Sequence, residues 1–182
     1  MANELENKTI AILVTNGFEQ EELTRPRRAL HDAGATTYIV SPESGKLRAW
    51  DHSDWGESFS VDVAVAEAKA DDYDGLLLPG GVMNPDKLRR NPEVQRFVRE
   101  IFDARKPVAA ICHAPWTLID AGVVKGRKLT SYPSLQLDLQ NAGAEWVDQE
   151  VVVDKGLVTS RRPDDIPAFN EKMIEEFVEG PH

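Results

Sequence analysis

The chain has 182 residues, one cysteine and a formal net charge of −10, with 21 Lys and Arg against 31 Asp and Glu. This length predicts a single domain that buries enough surface to fold without a disulfide or a structural metal. One cysteine excludes an internal disulfide and metal sites built on paired cysteines. The acidic balance argues against sequence-specific or general nucleic-acid binding, because phosphate contacts need clustered Lys and Arg.

The sequence also predicts where the protein works. No apolar stretch reaches the length of a membrane span, and the first residues lack the basic and apolar regions of a signal peptide. A lone cysteine fits a reducing compartment. We therefore expect a cytoplasmic protein with no membrane partner.

Strand and helix signals alternate along most of the chain. Short apolar runs rich in β-branched residues predict strands, and apolar residues at helical spacing predict helices. The predicted strands are Thr9–Thr15, Thr37–Val40, Asp74–Leu78, Val108–Cys112, Lys128–Thr130 and a hairpin over 151–159. The predicted helices are Glu21–Ala33, Pro92 to about Lys106, Trp116–Ala121, Leu135–Ala142 and a last one after Asp165. The stretch Ser41–Ser60 is loop-like.

This alternation is typical of an α/β fold with a mostly parallel sheet and helices on both faces. We expect one domain over residues 1–182, with its core at about 8–178. In such a fold, ligands bind beyond the carboxyl ends of the strands. Three strand ends carry chemically useful residues: Gly17–Glu19, Pro79–Gly81 and Cys112–Pro115.

These three strand ends predict a cysteine-based site. A cysteine at a strand-to-helix turn has its thiolate favoured by backbone N–H groups and the helix end, which brings its pKa toward neutrality. His113 supplies a base for Cys112, and Glu19 supplies an acid or a hydrogen-bond partner for the sulfur. The N–H groups of Gly80 and Gly81, with that of His113, could stabilise an oxyanion.

Each residue also has a simpler interpretation. Cys112 can be a packing residue, the two glycines a turn, and Glu19 part of a solvated helix start. Trp116 and Tyr132 either line the pocket or belong to the core. The remaining histidines are expected to have no chemical role: His31, His52 and His182. The sequence contains neither the dinucleotide-binding fingerprint nor a phosphate-binding Lys-Ser/Thr loop.

The chain resembles the PfpI branch of the DJ/PfpI superfamily, in order from about residue 8 to residue 177. The motifs that carry the resemblance are Asn16–Glu19 with Glu22, Leu78–Gly81, Pro107–His113, Gly126–Pro133, Gly143–Asp148 and Thr159–Arg161. One position departs from the family pattern. Ala114 stands where the family usually has glycine after the Cys-His pair, so its methyl group could narrow the turn.

The resemblance implies a flavodoxin-like three-layer sandwich with a nucleophile elbow, and a homodimer or higher homo-oligomer. It implies that Cys112 is the nucleophile, that His113 assists it and that Glu19 hydrogen-bonds the thiol. In family members with a Cys-His-acid triad, the acid comes from a neighbouring subunit, and Asp86 is its candidate here. The resemblance requires no cofactor and no metal.

The activities implied by the resemblance are those of stress-protective cysteine enzymes. They are the repair of early glycation adducts of methylglyoxal and glyoxal, the glutathione-independent glyoxalase conversion of these α-oxoaldehydes to hydroxy acids, and intracellular proteolysis of the peptidase C56 type. The leading hypothesis is a deglycase or glyoxalase acting on free α-oxoaldehydes or on glycated protein adducts. The alternatives are an intracellular cysteine peptidase, or a non-enzymatic redox sensor or holdase chaperone that uses the same cysteine.

Overall fold

The computed structural model describes residues 3–182, and its framework is a seven-stranded sheet. The strands are β1 (Thr9–Leu13), β2 (Thr36–Ser41), β3 (Lys46–Asp51), β4 (Asp54–Ser60), β5 (Val63–Ala64), β6 (Gly75–Leu78), β7 (Val108–Ile111), β8 (Lys128–Leu129), β9 (Glu145–Trp146), β10 (Val152–Asp154) and β11 (Leu157–Ser160). The main sheet has the order β10-β11-β7-β6-β1-β2-β5. All its neighbours are parallel except β10 and β11, which form the predicted antiparallel hairpin.

Helices cover both faces of this sheet. They are α1 (Gln20–Asp32), α2 (Met83–Leu88), α3 (Pro92–Asp103), α4 (Pro115–Ala121), α5 (Gln136–Asn141) and α6 (Ile166–Glu179). Side chains of β1 alternate between the faces: Ile10 and Ile12 pack with α1 and α6, whereas Ala11 and Leu13 pack with α3 and α4. The predicted three-layer arrangement, with a mostly parallel sheet between helices, is therefore confirmed.

Local sequence signals set the ends of several helices. Asn91 caps α3, because its side-chain oxygen accepts the N–H groups of Glu93 at 2.9 Å and Val94 at 3.1 Å. Pro92 follows at the first helical position, where its missing N–H costs nothing. Gly122 ends α4 in the left-handed conformation, with φ of 75°.

The prediction of a loop over Ser41–Ser60 is wrong, because β3 and β4 form a second antiparallel hairpin there. In β3, buried Leu47 and Ala49 alternate with exposed side chains, which is the period of a strand with one covered face. Trp50 and Trp55 face each other across the hairpin, with ring centroids 5.4 Å apart in an edge-to-face arrangement. Two aromatic residues thus stabilise a strand pair rather than a loop.

This hairpin docks on the segment that follows β1. The N–H of Trp50 donates to the Phe18 carbonyl at 2.8 Å, and the N–H of Gly17 donates to the Arg48 carbonyl at 2.9 Å. These bonds place the hairpin beside the carboxyl end of the sheet. Within residues 3–182, no helix combines the length and the apolar character needed to cross a membrane.

Candidate active site

Cys112 lies at a sharp turn directly after β7. Its φ is 65°, in the left-handed region that side chains other than glycine rarely adopt. The turn is held on both sides, since the Cys112 N–H donates to the Ser160 carbonyl at 3.0 Å and its carbonyl accepts from the Tyr132 N–H at 2.8 Å. A strained residue between a strand and a helix is the geometry of a nucleophile elbow.

Ala114 does not disturb this elbow. Its backbone is right-handed helical, with φ of −54° and ψ of −33°, so a glycine is not required there. Its methyl group is buried in the core beside α3 and α4 rather than at the thiol. The departure from the family pattern therefore leaves the shape of the turn unchanged.

A cleft of about 540 Å³ opens above the sulfur. It brings together residues from all three predicted strand ends and from the β3–β4 hairpin. The lining residues are Gly17, Glu19, Glu22, Trp50, His52, Gly81, Val82, Met83, Cys112, His113, Tyr132 and Pro163.

His113 contacts the thiol directly. Its Nδ1 lies 3.1 Å from the Cys112 Sγ, and its Nε2 lies 3.4 Å from the Ser134 hydroxyl. Burial lowers the pKa of His113 to about 4, so the imidazole is neutral near pH 7 and can accept a proton. The left-handed turn at Cys112 is what brings these two adjacent side chains together.

Glu22, on α1, is the carboxyl group at the thiol. It is fully buried, and its Oε1 accepts the N–H groups of Gly80 at 3.0 Å and Gly81 at 3.1 Å. Its Oε2 has no nitrogen or oxygen partner within residues 3–182, and the Cys112 thiol is the side chain with which the carboxyl interacts. Burial, followed by the charge of Glu19, raises the pKa of Glu22 to about 8, so the carboxyl is mostly protonated at neutral pH.

Glu19 occupies a different position from the one expected. Its Oε1 accepts the backbone N–H of His52 at 3.0 Å and lies 3.5 Å from the His52 Nδ1. Burial raises the pKa of Glu19, while the His52 N–H and charge lower it. The expected hydrogen bond from Glu19 to the thiol is therefore corrected: Glu22, one helical turn further, faces the sulfur, and Glu19 faces the hairpin.

The pKa of the Cys112 thiol is raised, whereas the position of the thiol at a helix end predicted a lowered pKa. Burial raises the pKa of Cys112, and a charged Glu22 beside it raises it further, whereas the N–H groups of Gly81 and His113 lower it. Two adjacent buried groups resist carrying two negative charges. With Glu22 protonated, a negative charge on the sulfur would have three donors: two backbone N–H groups and the carboxyl O–H.

The two glycines have separate functions. The N–H of Gly81 points at the sulfur region, as does that of His113, so this pair is placed to hold an oxyanion formed there. The N–H groups of both glycines donate to Glu22, but that of Gly81 also reaches the sulfur, and of the two only Gly81 lines the cleft. A Cβ at Gly80 would lie 2.5 Å from the Ile111 carbonyl and 2.7 Å from the Cys112 Cβ. Close packing therefore requires glycine at position 80, and its part in an oxyanion site stays a prediction.

Of the two aromatic candidates, Tyr132 lies at the cleft and Trp116 does not. Tyr132 lines the cleft and stacks on the His113 ring, with centroids 4.5 Å apart. Trp116 does not line the cleft; its ring meets the His113 ring edge-to-face, with centroids 5.1 Å apart, and its indole N–H donates to Asp138 at 3.0 Å. Together, the two rings fix the imidazole in the plane that faces the sulfur.

Asp86 lies on α2, exposed and outside the cleft lining. Within residues 3–182, the His113 Nε2 lies beside the Ser134 hydroxyl, 3.4 Å away, rather than beside a carboxylate. The expected place of Asp86 beside a histidine therefore requires a second copy of the chain, and its role stays a prediction.

Sequence reasoning assigned no role to several residues of the cleft. His52, at φ of 58° in the hairpin turn, lies 2.8 Å from Glu21 through its Nε2, and Trp50 and Met83 complete the walls. The alternation in β3 was the only signal that could have found the hairpin. Glu19, Glu21 and His52 also hold donor atoms within 4.8 Å of one another, as a metal site would require. All three already hydrogen-bond each other or the backbone, and the prediction of no metal stays a prediction.

Comparison with known proteins agrees with this geometry. The model of the DJ-1/PfpI family matches residues 8–176. The chain is 43% identical to Protein/nucleic acid deglycase 2 of Escherichia coli over 169 residues, covering 92% of this chain and 96% of that protein. It is 42% identical to General stress protein 18 of Bacillus subtilis over 168 residues, covering 92% and 96%.

The fold agrees as well. DJ-1beta of Drosophila melanogaster superposes with a TM-score of 0.85 at 28% identity, over 98% of this chain and 91% of that chain. The match spans both the turn at Cys112 after β7 and helix α1, which carries Glu22. These two segments contribute to the cleft. The chain therefore belongs to the DJ-1/PfpI family.

Proposed function

We propose that this protein is a cysteine-dependent enzyme that converts α-oxoaldehydes, such as methylglyoxal and glyoxal, or their early adducts with amines, to hydroxy acids. The observation that carries the proposal is the buried Cys112–His113–Glu22 cluster at a left-handed elbow, open to a cleft. The name of the E. coli relative, a protein/nucleic acid deglycase, supports action on glycation adducts in general. The proposed substrate class requires no cofactor.

The first step forms a bond between sulfur and the aldehyde carbon, C1. The thiol proton passes to the His113 Nδ1, which lies 3.1 Å away, and the sulfur electron pair attacks C1. The Gly81 and His113 N–H groups hold the developing oxyanion, which then takes a proton from Glu22. The product is a hemithioacetal, with Glu22 ionised and His113 protonated.

The second stage moves hydrogen between adjacent carbons. The Glu22 carboxylate removes the C1 proton, the C1–H electron pair forms a C1–C2 double bond, and the C2 oxygen takes the proton from His113. Glu22 then returns its proton to C2, and the C1 hydroxyl loses its proton to His113, which leaves a thioester. C1 is oxidised and C2 is reduced within one substrate, so no external electron acceptor is needed.

Water completes the cycle. It adds to C1 with its proton passing to Glu22, the C1–S bond breaks, and the sulfur regains a proton from His113. The enzyme returns to its starting protonation state, and the acid product ionises in solution. For a hemiaminal adduct, the sulfur displaces the amine from C1 while the thiol proton passes to His113; the amine leaves with the Glu22 proton, which gives the same hemithioacetal with Glu22 ionised and His113 protonated.

The test compares lactate formation from methylglyoxal under metal-free and thiol-free conditions. We expect Cys112→Ala to fall to background and Glu22→Gln to lose about 10²-fold or more in kcat, because the amide keeps the hydrogen bonds but cannot transfer protons. Glu19→Gln is the matched control, at the residue that precedes the same helix, and we expect it to stay within about threefold of the parent.

Four outcomes would contradict the proposal. A parent protein without lactate formation above background would exclude the oxoaldehyde reaction, and equal rates for Glu22→Gln and the parent would exclude Glu22 as the proton carrier. Cleavage of fluorogenic peptides that depends on Cys112, without lactate formation, would favour the peptidase alternative. Selective peroxide oxidation of Cys112 without turnover of either substrate would favour the redox sensor.

We also propose that Asp86 acts only in an oligomer. Asp86→Asn should leave activity unchanged if each protomer is complete by itself. A loss of activity, with an unchanged sedimentation coefficient of the assembly, would place Asp86 at the site of a neighbouring copy.

A further inference from the structure

A second cleft, of about 420 Å³, lies at the opposite end of β7 from Cys112. It is formed by the loop before β7, the loop before β8, the turn between β10 and β11, and the C-terminal residue. The Val108 N–H donates to the Gly156 carbonyl at 2.9 Å, which ties two of these segments together. The side chains at this cleft are Phe102, Arg105, Lys106, Arg127, Lys155 and His182.

Four permanent cations converge here in a chain whose net charge is −10. Within residues 3–182, none of these four side chains forms an ion pair. The Lys106 Nζ donates to the Ala70 carbonyl at 2.6 Å, which leaves two of its three N–H donors. The Arg127 Nε donates to the Val123 carbonyl at 2.9 Å, while its buried Nη1 has no partner in the part of the chain that the structure describes.

The nearby acidic groups do not neutralise this cleft. Burial lowers the pKa of Arg127 and the charge of Asp154 raises it, yet the two side chains form no ion pair within residues 3–182, and the Asp154 Oδ2 accepts the Lys128 N–H at 2.8 Å. Glu176 and Glu179 pair with His182 instead, at 2.8 and 3.4 Å from its Nε2. Among the described residues that line the cleft, none is an Asp or a Glu.

The backbone offers a second observation. Arg105 has φ of 60° and Lys155 has φ of 51°, both in the left-handed region where glycine is favoured. A long cationic side chain at such a position costs conformational free energy that a glycine would avoid. Both of these exposed cations flank the cleft rather than pack in the core.

We propose that this cleft binds the phosphoryl groups of a small phosphorylated molecule. Guanidinium groups bind phosphate oxygens through paired N–H donors, and ammonium groups add a compact charge. Arg127 already lies over the Phe102 ring, 4.9 Å from its centroid, which holds the guanidinium plane in place. A site of this size takes one small anion, and it lies away from Cys112, so it does not depend on the oxoaldehyde chemistry.

The test is calorimetric titration of the full chain with inorganic pyrophosphate, adenosine triphosphate and fructose 1,6-bisphosphate at low and moderate salt. The decisive variant is Arg105→Gly with Lys155→Gly, because glycine removes both charges and also relieves both left-handed residues. We expect pyrophosphate affinity to fall about tenfold or more, while the variant unfolds at a denaturant concentration equal to or above that of the parent. Lactate formation serves as a check that the cysteine site is intact.

The matched control is Arg99→Gln with Lys46→Gln, two exposed cations outside the cleft, which changes the net charge equally. It should retain the affinity of the parent. The proposal is overturned if no pyrophosphate binding is detectable at millimolar concentration, or if the control loses as much affinity as the cleft variant. Binding of a single-stranded oligonucleotide in the absence of pyrophosphate binding would also overturn it. Tighter binding of one of the two organic phosphates would identify the class of molecule.

Discussion

The candidate active-site cleft has two walls of different construction. The wall formed by Cys112 and Glu22, with Gly80 packed behind it, is part of the core: the Glu22 side chain has no exposed surface, and Cys112 is 7% exposed. The opposite wall is the β3–β4 hairpin, where the His52 side chain is 66% exposed. The side chains of the first wall are buried, whereas those of the second wall border solvent.

This difference shows how the chemistry is held in place. Proton transfer requires donor and acceptor atoms to stay within hydrogen-bond distance, and strand ends tied into a close-packed core supply that rigidity. The hairpin wall contributes shape and charge to the cleft entrance through Trp50 and His52. Substitutions in the core wall should therefore affect stability and kcat together, and substitutions in the hairpin wall should mainly affect KM.

The largest expected effect concerns the pH dependence of stability through Glu22. Its pKa of about 8 in the folded protein exceeds the ordinary value of 4.5, so the unfolded chain ionises first as pH rises. The contribution of Glu22 to the free energy of unfolding is fully present below pH 4.5. It is lost as pH rises toward 8, by on the order of 5 kcal/mol in total. Urea unfolding of the parent and of Glu22→Gln between pH 5 and 9 measures this loss.

Glu22→Gln should show a much flatter profile across this range, because the amide does not ionise. Glu19→Gln is the comparison variant: it removes the neighbouring charge that helps to raise the Glu22 pKa but keeps the buried Glu22 carboxyl, so it should retain most of the parent's slope. Identical slopes for the parent and Glu22→Gln would contradict a buried, protonated Glu22.

The next effect compares a glycine in each wall. A methyl group at Gly80 would meet the Ile111 carbonyl at 2.5 Å and Glu22 at 2.7 Å, and the backbone there cannot move freely. We expect Gly80→Ala to destabilise the protein by about 3 kcal/mol and to abolish lactate formation.

Gly56→Ala in the hairpin is the matched variant, because its methyl group would mainly meet the end of the flexible Gln20 side chain. We expect a loss below about 1 kcal/mol there. Thermal unfolding of both variants measures the difference, and equal losses would remove the distinction between the walls.

The smallest effect is at His52, whose φ is 58°. His52→Gly and His52→Ala lose the same exposed contacts to Glu19 and Glu21, but only glycine relieves the left-handed backbone. We expect the glycine variant to be more stable than the alanine variant by about 1 kcal/mol. Both should change KM with kcat within about threefold of the parent, and a large loss of kcat in either would place His52 in the proton-transfer chemistry.

The strands of the central sheet were predictable because burial on both faces leaves a continuous apolar run, as in β6 and β7. The β3–β4 hairpin was missed because its strand β3 has only two buried positions, Leu47 and Ala49, with charged Arg48 between them. Its stability comes from docking on Phe18 and from the Trp50–Trp55 pair. Those contacts join segments far apart in the sequence, which a local pattern does not contain.

The amino-acid sequence by itself determined the layered α/β arrangement and the convergence of three strand ends on Cys112, because periodicity and strand direction are local properties. Only the tertiary structure decided which glutamate faces the sulfur. Glu19 and Glu22 belong to the same acidic run at the start of α1, and the N–H groups of Gly80 and Gly81 reach only Glu22. The register between a helix and a neighbouring strand end is set by packing across the whole sheet, and no residue spacing within one segment encodes it.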